Sequence, residues 1–244
     1  MEEPFKYTDT HSSRAKIEYL NRKFYSQKIA IIGLGGTGAY ILDHIAKTPV
    51  REIHIFDADI FQLHNAFRAP GATSADQFEV PGGLKKVKYY EEIYSRMRNA
   101  LIAHDMYVTV ENIAMLCDFD FVFICVDKNT TRYSLTQELL RMKVTFIDVG
   151  LGVNKVKDML IGTLRVTVAS ETKNDHLAVR IGADEFEENE YATNIQISDL
   201  NSLNANLAVI KWKKLSEFYQ DLKGEHNQLY CINTNKLLNE DYPA

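Results

Sequence analysis

Short apolar runs alternate with polar, helix-forming stretches over the first two-thirds of the chain. Ile29, Ile31 and Ile32 fall in the run from Lys28 to Gly33, which suits a strand buried on both faces. Residues 11 to 25 read as a charged helix leading into it. A helix follows from Gly36 to about Lys47 and ends at Pro49, and a second strand spans Glu52 to Asp57, with Ile53, Ile55 and Phe56 apolar. Residues 58 to 83 form a long polar stretch with Pro-Gly turns at 70–71 and 81–82. A helix is expected over residues 84 to 98 and a strand from Tyr107 to Val110. A further strand from Phe121 to Val126 feeds a helix that reaches Met142, and Val144 to Val149 is strand again.

This β-α-β alternation predicts an α/β fold, a Rossmann-like, doubly wound and mainly parallel sheet. From Ile161 to Val168 the pattern alternates as an added strand would. Residues 170 to 195 are acidic and weakly patterned, and read as a crossing loop. Leu200, Leu203, Leu207, Ile210 and Phe218 fall at helical spacing on a long C-terminal helix containing Trp212, and Gln228 to Asn233 reads as a last strand. The expected organisation is one domain: a helical segment over 1–27, a nucleotide-binding core over 28–168, and loop, helix and strand packed on it over 169–244.

Composition narrows the function classes. The 244 residues carry a net charge of −5, with acids and bases interspersed, which argues against a nucleic-acid or anionic-membrane surface. Cys117, Cys125 and Cys231 form no Cys-x-x-Cys pair, so neither a disulfide framework nor a cysteine-built zinc site is expected. The acidic, polar start MEEPFKYTDT is unlike a secretory signal, and no apolar run approaches the roughly 20 residues that span a bilayer. A soluble, cytoplasmic protein is expected.

The chemistry concentrates between residues 28 and 68. Gly33-Leu34-Gly35-Gly36-Thr37-Gly38 joins a strand to a helix, where phosphate can approach backbone N–H groups at the positive helix end. Asp57, 19 residues beyond Gly38 at the end of the second strand, is placed to accept from ribose hydroxyls. It identifies a nucleoside and no reaction, because NAD and ATP both offer those hydroxyls. Asp59 is either a second ligand or a turn residue. Asn65 and Arg68, eight and eleven residues after Asp57, can fold back over a triphosphate, and a guanidinium can fork two phosphate oxygens. Among Lys85, Lys86 and Lys88, spacing favours Lys86 as the neutralising cation. Asp127, between a strand and a helix, can hold Mg²⁺ against phosphate or cap the helix. Arg132 reads as support for that loop.

Together these residues resemble the ThiF, MoeB and ubiquitin-activating E1 superfamily, whose adenylation domain carries Gly-x-Gly-Gly-x-Gly, Asp-x-Asp, Asn-x-x-Arg, a lysine and a strand-end Asp. The resemblance covers about residues 14 to 168. It implies an ATP-dependent adenylyltransferase that activates the C-terminal carboxylate of a ubiquitin-like or sulfur-carrier protein as acyl-AMP. Within it, Asp57 binds ribose, Asn65 and Arg68 the phosphates, Lys86 the triphosphate and Asp127 the Mg²⁺. It also implies a homodimer in which an N-terminal arginine, Arg14 or alternatively Arg22, enters the neighbour's site, and an E2-like or JAB-type protease as a further partner. The family's glutamine after the arginine and asparagine after the Mg²⁺ aspartate are replaced here by Ala69 and Lys128, and the interval from Arg68 to the lysine is longer. Residues 170 to 195 hold no cysteine for a thioester or persulfide, which leaves Cys231 as a weak candidate. A nicotinamide-dependent oxidoreductase shares the glycine turn and Asp57 but leaves Asn65, Arg68 and Asp127 without roles. A catalytically degenerate binding subunit would keep the fold and lose turnover, and one branch of the family acts on a small acid carried by tRNA.

Overall fold

The apolar runs become the strands β1 (Lys28–Ile32), β2 (Glu52–Phe56), β3 (Leu101–His104), β4 (Phe121–Ile124), β5 (Phe146–Val156), β6 (Met159–Ala169), β7 (Asn227–Cys231) and β8 (Lys236–Glu240). They come from a computed structural model that describes residues 3–181 and 195–243. The strands form one sheet in the order β3-β2-β1-β4-β5-β6-β7-β8. The first five in that order are parallel and the rest antiparallel. The chain winds outward from β1 through β2 to β3, then returns and winds the other way through β4 and β5. Its direction therefore switches between β1 and β4, and a crevice opens at the carboxyl ends of these strands.

Alternate residues of each strand feed two cores, as the period-2 geometry requires. Ile29, Ile31, Ile53, Ile55 and Phe123 face the helices α3 (Gly36–Ala46), α5 (Lys86–Tyr94) and α8 (Ser198–Leu215). Ala30, Ile32, Val122, Ile124 and Phe146 face α6 (Asn129–Arg141) and the short α7 (Leu177–Arg180). This is the doubly wound α/β arrangement that the alternation implies.

Several boundaries differ from the sequence expectation. The N-terminal helix is broken into α1 (Thr10–Ala15) and α2 (Glu18–Asn21), because Lys16 turns left-handed at φ 56° and closes α1. The strand expected at Tyr107 to Val110 lies earlier, at β3. Val108 is buried in the second core, but it packs there from a loop without a ladder. The polar stretch after β2 contains a short helix, α4 (Leu63–Ala66), and the C-terminal strand has an exposed partner, β8, with no apolar alternation to announce it. The long helix α8 is present, but its leucines are only half-buried and Ile210 is 42% exposed. Its buried face is Asn201, Asn204, Ala205, Ala208 and Trp212. The expected crossing loop holds α7 at its start, and its positions 182–194 lie outside the described residues.

Candidate functional site: a nucleotide crevice at the switch point

The glycine turn sits where β1 meets α3, at the mouth of the crevice. Gly33 has φ +90°, and a Cβ there would come within 2.9 Å of the Cys125 carbonyl at the end of β4, so only glycine fits. Gly35 is the N-cap of α3, and no side chain caps the helix. The first N–H groups of α3, from Gly36, Thr37 and Gly38, are thus left for an anion. Space above Gly35 is open, whereas Gly36 is pressed by α8: a Cβ there would lie 2.0 Å from Asn201 Nδ2. Asn201 is fully buried and accepts from the Thr37 hydroxyl at 3.1 Å. Thr37 therefore offers a phosphate its backbone N–H, its hydroxyl being turned to α8. Asn201 thus supports the turn, and Asn204, bonded to the Gly150 carbonyl at 3.0 Å, ties α8 to β5, although their helical spacing carried no sign of this.

Asp57 follows β2 and is 6% exposed. It accepts from the N–H of Leu34 at 2.7 Å and from the N–H of Asp59 at 2.8 Å, which fixes the carboxylate against the glycine turn. Burial pushes its pKa up, and Lys86 with the two N–H groups offsets this only in part. Lys86 Nζ lies 2.7 Å from Asp59 and 3.6 Å from Asp57. The lysine reaches this point because backbone bonds from Phe61 to Leu84 and from Lys86 to Asp59 clasp the two ends of the intervening loop. Lys85 instead donates to the Ala58 carbonyl and pairs with Asp105, and Lys88 pairs with Glu91. Burial alone would raise Asp59, but Lys86 and the Tyr107 hydroxyl outweigh it and hold that carboxyl low. The Tyr107 hydroxyl is pushed up to about 12, chiefly by its bond to Asp59, with Asp57 and Asp127 adding to it.

Asn65 and Arg68 come from α4 and the turn after it. Asn65 is buried, and its Oδ1 accepts from the Gln62 N–H at 2.8 Å in a reciprocal capping box, so its amide N–H₂ is what it can offer a ligand. Arg68 has no carboxylate partner among the described residues, and its Nε is buried without an acceptor. It stands near Lys86: burial, and then the charges of Arg68 and Lys86, hold the His64 imidazole below its usual range. Asp57 and Arg68 both act on the buried Tyr90 hydroxyl, so the one cation of this group without an ion-pair partner among the described residues lies on the Asp57 side of the crevice.

Asp127 lies in the exposed loop between β4 and α6 and has no ion-pair partner among the described residues. Lys128, not Asp127, is the N-cap of α6, which removes the capping reading of the aspartate. Arg132 holds this loop, donating to Asn129 and the Val126 carbonyl at 2.6 Å each, and lies 2.9 Å from the buried Asp148. No group of three or more His, Cys, Asp or Glu that could hold a metal occurs among the described residues. A divalent cation here would take the single free carboxylate of Asp127 together with phosphate oxygens and water, which fits Mg²⁺. Arg14 is exposed on α1, whose neighbours Ser12 and Ile17 line a cleft with residues that precede β1 and follow α3, at the amino ends of the strands and away from the glycine turn. It does not line its own chain's crevice. Cys125 is half-buried with its thiol pKa pushed up by burial, and Cys231 lies on β7 away from the crevice, so neither is presented to it as a nucleophile.

The family model for the ThiF family matches residues 14–171. The chain belongs to the ThiF family. No curated protein matches the sequence. Among solved structures, this ThiF-family chain is similar to E. coli MccB bound to MccA-N7isoASN, with TM-score 0.72 and 15% identity over 98% of this chain and 73% of that one. It is also similar to E. coli MccB with ATP (TM-score 0.69, 14% identity, 98% and 73% covered). PaaA is a third (TM-score 0.69, 12% identity, 98% and 76% covered). At such identities the likeness concerns the fold.

Proposed function

We propose that the chain is an ATP-dependent adenylyltransferase of the E1 type, which joins a peptide or protein C-terminal carboxylate to AMP and releases pyrophosphate. The observation that carries this reading is Arg68, a half-buried guanidinium without a counter-ion among the described residues, whose charge acts on His64 together with Lys86 and on Tyr90 together with Asp57. A nicotinamide enzyme would use the glycine turn and Asp57 and leave that cation unanswered. MccB complexes with ATP and with the peptide MccA support a peptide carboxylate as the acceptor. The specific reading is a ubiquitin-like or sulfur-carrier protein with a free C-terminus, activated by a cytoplasmic homodimer in which Arg14 serves the neighbouring site. An E2-like or JAB-type protein would act after it.

In this reading the glycine-turn N–H groups and the α3 terminus hold the phosphates, Asp57 and Asp59 face the ribose, and residues 28–168 form the adenylation core. Attack by a carboxylate on the α-phosphate brings two anions together, so Arg68, Lys86 and Asn65 position and neutralise. Lys86 must loosen from Asp59 to do this, which makes Asp59 a holding partner as well as a ligand. Mg²⁺ held by Asp127 would supply further charge neutralisation on the departing pyrophosphate. No general base is required, since a carboxylate is already ionised at neutral pH.

The test is incubation with Mg-ATP and a panel of peptides and ubiquitin-like proteins ending in free carboxylates, reading pyrophosphate release and the acyl-adenylate by mass spectrometry. Adenylate on at least one tail, absent when that tail is amidated, is expected. ATP bound with no pyrophosphate from any tail would replace the proposal with a binding subunit.

A further inference from the structure

A cleft of about 610 Å³ lies at the amino ends of the parallel strands, between the N-terminal segment, the end of α3 and the end of α8. That volume is in the range of small-molecule sites, about 300–1,000 Å³. Its walls are apolar: Ile17, Leu20, Phe24, Met97 and Phe218. Most of the polar groups on its rim are satisfied internally. Asp9 accepts from the N–H groups of His11 and Ser12 and from the Ser12 hydroxyl, Asn21 donates to that hydroxyl at 2.7 Å, and the Thr48 hydroxyl donates to the Ile45 carbonyl. Lys47 is paired with Asp43 at 2.6 Å.

Among the charged groups of the lining, Lys213 differs: His11 lies beside the Asp9 carboxylate, whereas Lys213 faces no anion among the described residues. It is half-buried, has no carboxylate or hydrogen-bond acceptor among the described residues, and lies over the rings of Phe218 and Tyr219 at 5.2 and 5.7 Å. Burial lowers its pKa, with no anion to offset it. One turn of α3 away from the cleft wall, His44 Nε2 is buried and also without a partner. An ammonium without an anion, in a cleft with apolar walls and other charges already paired, specifies its complement: one negative charge on an apolar body. A polyanion would find too few cations, and a neutral hydrocarbon would leave the ammonium desolvated.

We propose that this cleft is a second ligand site, separate from the nucleotide crevice, for a small apolar monocarboxylate whose acid group meets Lys213 and whose hydrocarbon packs on Leu20, Phe24 and Phe218. The two sites lie at opposite ends of α3, about 16 Å apart at 1.5 Å per residue. Both can therefore be filled at once.

The test is calorimetric titration of the full chain with 4-phenylbutyrate and with its neutral amide. The acid should bind about tenfold tighter or more. Lys213→Met, which keeps a flexible stem over the rings, should abolish that preference. Leu20→Trp, which fills the cleft and retains the lysine, should abolish binding of both compounds. Saturating Mg-ATP should leave the acid's affinity unchanged. Equal affinity for acid and amide, a preference that survives Lys213→Met, displacement by Mg-ATP, or no binding of the acid up to roughly 10 mM would each overturn the assignment.

Discussion

Two clusters of acids and cations stand at the carboxyl ends of this sheet, and they differ in what completes them. On the β4–β6 side, Asp148 is fully buried between Arg132 at 2.9 Å and Arg165 at 2.5 Å, and Arg165 also donates to Thr167. Both guanidiniums there are held by one carboxylate that the fold itself supplies. On the β1–β2 side, Asp57 and Asp59 share Lys86, and among the described residues Arg68 is left without an anion and Asp127 without a cation. The same residue types form a sealed staple in one place and an open receptor in the other. An unmatched charge, rather than a charge as such, is what marks the site.

The largest expected effect separates the clusters by stability. Asp148→Ala strands two largely buried guanidiniums and should cost about 3–5 kcal/mol in chemical denaturation. Arg68→Ala should do the reverse. Adenylate formation should fall about 10²–10³-fold, by analogy with loss of an oxyanion donor, while stability stays within about 1 kcal/mol. A large stability loss for Arg68→Ala would place it in a staple like that of Asp148 and erase the distinction.

A third variant probes the helix that supports the open site. Gly36→Ala would set a methyl 2.0 Å from Asn201 Nδ2 and should destabilise the protein by about 1–3 kcal/mol. Adding Asn201→Ala should recover most of that loss, and failure to recover would mean that α8 does not set the position of the turn.

The smallest effect concerns pH. The Asp221 carboxyl is held down at about 2 against an ordinary 3.8: burial acts upward, but the Gly224 N–H, Lys211 and Lys214 outweigh it. A depressed folded pKa gives stability that is present above the unfolded value and lost as pH falls through the folded one. Acid denaturation should therefore carry a slope between about pH 4 and pH 2, and Asp221→Asn should flatten it.

The open cluster was legible in sequence because each member is tied to a strand end or a turn. Gly33 needs its left-handed φ, Asp57 ends a buried apolar run, and Asn65 and Arg68 follow on one short helix and the turn that closes it. The choice of Lys86 rested on spacing, and what brings it 27 residues back to Asp59 is a pair of backbone bonds that no local pattern encodes. The supports were hidden for a related reason. Asn201 and Asn204 look like solvent-facing positions beside a stripe of leucines, yet they face inward because glycine at the head of α3 allows α8 so close that a short amide fills the gap. Asp148 and Arg165 sit on neighbouring strands whose partners depend on register. β3 and β8 are short edge strands lacking a fully buried face, so their residues carry little alternation.

The central claim is that the unmatched charges of the β1–β2 crevice hold a triphosphate. Calorimetric titration with Mg-ATP, and separately with NAD⁺ and NADH, on the unaltered chain, Arg68→Ala and Asp127→Ala tests it most directly. The account predicts Mg-ATP binding that weakens in both variants and no nicotinamide signal. Tight NAD(H) binding indifferent to both substitutions would contradict it.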